Sequence, residues 1–159
     1  MNQPNSDWVF ARDLIQFVMQ FHRPTWKFTK EFAIESDHTH FTENFANYIQ
    51  IFIQENDVRI QMDYEQAFRG IEFTKDIFKN VGQHLNREIF KDEVVFCVKK
   101  FIAYCSIIAK YTVLSYIFGL KSAPVHAVAI VCDNIKYLRN IGQFTNDTWC
   151  DIQKFVGSK

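Results

Sequence analysis

The chain has 159 residues, 48% of them hydrophobic and 23% charged. That is long enough for one domain to bury about two-thirds of its unfolded surface. Its 18 basic and 18 acidic residues cancel, so there is no general field to draw in nucleic acid or an anionic membrane. Aromatic residues reach 16%, with 17 Phe, and a chain so rich in rings either fills a large core or lines an apolar cleft.

Residues 1–7 (MNQPNSD) are polar and carry no secretory leader pattern. Asn5, Ser6 and Asp7 offer a cap for an amphipathic helix that presents Leu14, Phe17, Val18 and Phe21. Pro24 restricts Arg23 and ends that helix. Residues 24–40 read as a connector, with a turn of helix within Trp26–Phe32. A second helix is expected from about Thr42, with Phe45, Ile49, Phe52 and Ile53 on one face, stopped by Asn56-Asp57. Asp63 then caps a short helix holding Tyr64, Ala67 and Phe68, broken near Gly70. Beyond it Phe73, Ile77, Val81, Leu85 and Ile89 recur every four residues, beside Phe78 and Phe90, the stripe of a helix packed on more than one neighbour. The best strand candidate, Val58-Arg59-Ile60-Gln61-Met62, alternates but stands alone, and one short strand builds no sheet.

A long apolar helix is expected from about Val94 to Phe118, with Gly119 suited to a left-handed stop. Its core, Phe101 to Leu120, has the roughly 20 residues that a membrane span needs. Lys110 lies at its middle, where a charge costs about 2.5–3.5 kcal/mol in a bilayer, and Ser106, Thr112 and Ser115 dilute it further. The segment therefore reads as a buried central helix. Ser122 caps the next helix, Pro124 falls in its first turn, and Asn140 and Gly142 break it. A last helix from about Asp147 carries Trp149, Ile152, Phe155 and Val156. The chain ends at KFVGSK with no apolar anchor. The pattern predicts an all-α fold of seven to eight helices around a central hydrophobic hairpin, one domain spanning 1–159.

Chemistry-bearing clusters are sparse. His38-Thr39-His40 is half of a metal site with no second pair at ligand spacing, so both read as solvated loop histidines. Cys97, Cys105, Cys132 and Cys150 sit in apolar helical stretches without a CxxC pair and read as buried free thiols. His84 and His126 are scattered, and no glycine pattern fits a nucleotide loop. No cofactor, metal or catalytic machinery is expected. Lys99-Lys100 stands out near the start of an apolar helix. Either the pair snorkels at the helix rim, or an ammonium sits at the edge of an apolar groove to meet an incoming carboxylate.

Several segments share order and spacing with a known family. Glu88-Ile89-Phe90 followed by Lys91-Asp92-Glu93-Val94 resembles the first homology region of the Bcl-2 family of apoptosis regulators. Where that family opens its central helix with Asn-Trp-Gly-Arg, this chain has Cys97-Val98-Lys99-Lys100 after a two-residue insertion, so only a basic residue is kept. Phe101-Ile102-Ala103-Tyr104 then falls on the family's apolar-apolar-Ala-aromatic run. Trp149-Cys150-Asp151-Ile152-Gln153-Lys154-Phe155-Val156-Gly157 is similar to the second homology region, with Asp147-Thr148 in place of its Gly-Gly. Arg12-Asp13-Leu14-Ile15-Gln16-Phe17-Val18, followed by Trp26, looks like the fourth. The third region's Leu-x-x-x-Gly-Asp is missing from Phe45–Ile53 and its surroundings.

The resemblance, to a compact, viral-type pro-survival member, implies a Bcl-2-like bundle with an apolar surface groove. That groove would capture the amphipathic BH-3 helix of pro-apoptotic proteins. It assigns the lining to Phe45, Ile49, Phe52, Phe68, Phe73, Ile77, Val81, Leu85, Glu88, Ile89, Ala103, Ile107 and Phe155. Lys99 or Lys100 takes the place of the family's Arg against the ligand's Asp. Not every apolar member need line a groove; about half are expected to be ordinary core. The implied setting is the cytoplasm of a host cell, peripheral at mitochondria, with self-association through an unliganded groove as a further expectation. Some viral relatives of this family instead keep the groove filled and bind host signalling adaptors through exposed faces, suppressing innate immune signalling.

Overall fold

A computed structural model describes residues 5–32, 38–68, 76, 79–80, 82–84 and 97–158. Among them the regular structure is helical and no strand forms. The elements are α1 (Ser6–His22), a 3-10 turn (Lys30–Phe32), α2 (Glu43–Phe68), α3 (Val98–Ile117), α4 (Ala123–Asn140) and α5 (Asn146–Gly157). Residues 76, 79–80 and 82–84 are helical as well. The expected stripe Phe73, Ile77, Val81, Leu85 and Ile89 lies outside the described residues, as do Glu88 and the segment leading to Val94.

Helix ends follow the local chemistry. The Asn5 side chain accepts a hydrogen bond from the Asp7 N–H at 2.8 Å, and Arg23 before Pro24 turns extended to close α1. Helices α3 and α4 end alike. Gly119 and Gly142 take positive φ (118° and 78°), while the N–H groups of Leu120 and Gln143 reach back to the carbonyls of Ser115 and Leu138 at 2.9 Å. This doubled-back stop satisfies carbonyls that a plain helix end leaves open. Helix α5 starts one residue before the expected Asp147, because Thr145 caps it and the Thr148 hydroxyl accepts from the Thr145 N–H at 2.9 Å.

Helix α2 departs from expectation. Asn56-Asp57 does not stop it; one helix runs from Glu43 to Phe68 through both residues and through Asp63. The Asn56 amide donates to the Phe52 carbonyl one turn back at 2.8 Å, and the Asp57 carboxylate pairs with Lys110 at 3.2 Å. Both side chains are satisfied without breaking the ladder, so their turn preference goes unused.

Helix α3 touches α1, α2, α4 and α5 and forms the centre of the bundle. Its small hydroxyl residues work inside the core. Ser106 and Thr112 donate to the carbonyls of Ile102 and Ile108 at 2.8 and 2.7 Å, and Ser115 shares a hydrogen bond with the Tyr64 hydroxyl at 3.0 Å. No helix among the described residues is long and apolar enough to cross a membrane. An aromatic cluster closes one end: Phe10 packs on Phe45, Phe101 and Trp149 at centroid distances of 5.2, 6.1 and 4.7 Å.

Candidate partner-binding faces

Among the described groove candidates, burial makes a clear division. Phe45 and Ile49 are 0% exposed and Phe68 is 4% exposed, so these three belong to the core. Phe52, Ala103, Ile107 and Phe155 are half-buried. On α2, Tyr48 and Phe52 lie one turn apart, and Phe155 of α5 packs on Tyr48 with ring centroids 5.5 Å apart. On α3, Lys100, Ala103 and Ile107 recur at helical spacing and share a half-buried row, with Lys99 exposed beside its first turn. The remaining candidates, Phe73, Ile77, Val81, Leu85, Glu88 and Ile89, lie outside the described residues.

A second feature lies between α1, α2 and α3, a cleft of about 520 Å³. Helix α1 contributes Val18, Phe21 and His22; α3 contributes Lys110, Val113, Leu114 and Ile117. Helix α2 supplies Gln50, Ile53, Gln54, Asp57 and Gln61. Gln50, Gln54, Asp57 and Gln61 fall on one stripe of that helix, so a polar wall faces an apolar one. The Lys110–Asp57 pair spans the two, with side chains 20% and 43% exposed. Lys110 thus reaches the cleft from the middle of an apolar helix, its stem lying along hydrocarbon and its ammonium at a carboxylate. The cleft's size and its mix of apolar lining with a few polar groups suit a small ligand or a short peptide segment.

The terminal helices meet at a polar knot inside the aromatic cluster. Arg139 donates to both oxygens of Asp7, at 2.7 and 3.0 Å, and the Trp149 indole N–H donates to the same carboxylate at 3.1 Å. His40 is not a solvated loop residue: its ring stacks on Trp149 at 4.3 Å and 8°. Burial, and then the neighbouring His38, hold the His40 imidazole below its ordinary pKa, against the pull of Asp7. His38 alone of the pair is exposed.

The cysteines are all free, but only Cys105 is buried; Cys97 and Cys132 are half-buried and Cys150 is exposed. Burial pushes the Cys105 thiol well up and Cys132 to about 12, so neither is a thiolate near neutral pH.

The cleft is the feature that periodicity does not announce. Its one signal in the sequence is Lys110, a charge inside an apolar helix that demands a partner on a neighbour. No protein-family model, curated protein sequence or solved structure matches this chain.

Proposed function

We propose that this protein is a helix-binding module that inhibits apoptosis by sequestering the BH-3 helix of pro-apoptotic proteins, in the cytoplasm or at the mitochondrial surface. The reading rests on the likeness of the quoted segments to the Bcl-2 family. The observation that carries it furthest is the half-burial of apolar side chains on three contacting helices, Tyr48 and Phe52 on α2, Ala103 and Ile107 on α3, and Phe155 on α5. Most of the other large apolar side chains of these helices are either buried or clearly exposed. Half-buried rows on adjoining helices, headed by Lys99 and Lys100, suit an amphipathic helix that brings apolar anchors and one carboxylate. The anchors supply most of the affinity, and the charge sets register and orientation.

The test is calorimetric titration with a panel of BH-3 peptides. Binding at submicromolar affinity to at least one is expected. Lys100→Ala should weaken it by about 1–3 kcal/mol where the ammonium pairs with the peptide carboxylate, with Lys99→Ala as the parallel variant. No heat with any peptide removes the proposal.

A second reading draws on the complete burial of Phe45 and Ile49. If core side chains fill the groove, partner binding passes to the outer faces, as in relatives that engage host signalling adaptors. Silence across the peptide panel favours this reading.

A further inference from the structure

Helix α2 is apolar on two opposite faces. One face fills the core with Phe45, Ile49, Ile60 and Tyr64. On the far side stand Ile51, Val58 and Met62, exposed by 54, 72 and 63%. Their spacing of seven and four residues confines them to a narrow stripe about 16 Å long. Single exposed apolar residues are common, but three in register along one helix form a seam. Exposed Glu55 and Arg59 flank it on the same edge.

We propose that this stripe pairs with the same stripe of a second copy of the chain, antiparallel across a two-fold axis that passes between Asn56 and Asp57. The charges favour this occupant. In an antiparallel pair related by a two-fold, an edge of one helix meets the identical edge of its partner, so a useful edge must complement itself. With the axis at this level, Ile51 faces the partner's Met62, and Met62 faces the partner's Ile51. The partner's Arg59 comes level with residue 54, one residue or about 1.5 Å along the axis from Glu55. Two reciprocal Glu55–Arg59 pairs therefore flank the apolar contacts, and Val58 packs beside the aliphatic stem of the partner's Glu55. An anionic lipid surface is a poorer fit, because Glu55 and Glu65 on this face outnumber Arg59 and repel it. The contact is small, at the low end of specific interfaces, so the dimer is weak and concentration-dependent. Its apolar seam differs from the half-buried rows, but Glu55 and Arg59 continue the Tyr48–Phe52 stripe of α2 at helical spacing, so the two surfaces adjoin.

Sedimentation of the full chain from micromolar to millimolar concentration tests the pairing. A monomer–dimer equilibrium is expected. Val58→Glu should raise its dissociation constant about tenfold or more, by placing four acidic groups at the seam. The fold should hold, since Val58 contributes little to the core, and an unchanged denaturation midpoint checks that. Glu55→Arg alone should weaken the dimer, and Glu55→Arg combined with Arg59→Glu should restore it, because the reversed pairs attract again. A chain that stays monomeric at millimolar concentration overturns the proposal. So does a dimer indifferent to Val58→Glu or unrestored by the double reversal.

Discussion

Among the described residues, two ion pairs tie distant parts of the chain together, and their surroundings differ. Asp7–Arg139 lies in the aromatic cluster, where the carboxylate accepts two guanidinium hydrogen bonds and one from the Trp149 indole. Lys110–Asp57 has a single contact at 3.2 Å in the wall of a cleft. The first pair leaves no lone-pair direction of one oxygen to water and joins α1, α4 and α5, so it specifies architecture. The second leaves its carboxylate nearly half exposed and spans only two helices, so it contributes little to stability and stays available to a ligand.

The sharpest way to break the contrast is to unmake the aromatic end. Trp149→Ala removes a ring packed on Phe10, Phe101, Phe144 and His40 and should cost about 3–5 kcal/mol. A shift of the denaturant midpoint without a change in slope would measure it. Asp7→Ala should cost about 2–3 kcal/mol, because it strands the Arg139 guanidinium and the Trp149 N–H, with solvent reaching Arg139 enough to soften the loss. Trp149→Phe in the Asp7→Ala background should cost less than in the native chain, since the indole N–H no longer has its acceptor. Additive losses would show that the indole donates elsewhere.

How far each region could be read from sequence follows the same division. The helix ends were legible because Asn5, Pro24, Gly119 and Gly142 act within a few residues of themselves. The central position of α3 was legible because its hydroxyls and lysine argued for protein rather than lipid around it. Asn56-Asp57 resembles a break in sequence but is none, because the side chains that would favour a turn are occupied by the Phe52 carbonyl and by Lys110, a residue on another helix. Groove against core was equally beyond reach for Phe45 and Ile49: periodicity says which face of α2 is apolar and nothing about what covers it. The sequence gives no sign of His40's burial for the same reason, since its stacking partner Trp149 is more than a hundred positions away.

A smaller effect is expected at Lys110. Lys110→Met should change stability by about 0.5 kcal/mol or less, in either direction, because the half-exposed Asp57 regains water and a thioether suits the apolar wall. A loss above about 2 kcal/mol in denaturant unfolding would make this pair architectural as well and abolish the contrast.

The smallest effect is a pH dependence at the boundary between the knot and solvent. The folded His40 has its pKa lowered, chiefly by burial against Trp149 and then by the nearby His38 charge. The unfolded chain therefore takes up a proton at His40 before the folded chain does. The stabilisation is complete above the ordinary histidine pKa of about 6.5 and drains away as pH falls through the lower folded value. His40→Phe keeps a flat ring on Trp149 and removes the proton-binding site. Between pH 7 and 5 the native chain should lose more stability than the His40→Phe chain, measured as the difference between their denaturation midpoints. Parallel pH profiles for the two proteins would mean that the stacked ring is no more costly to charge in the fold than in the open chain.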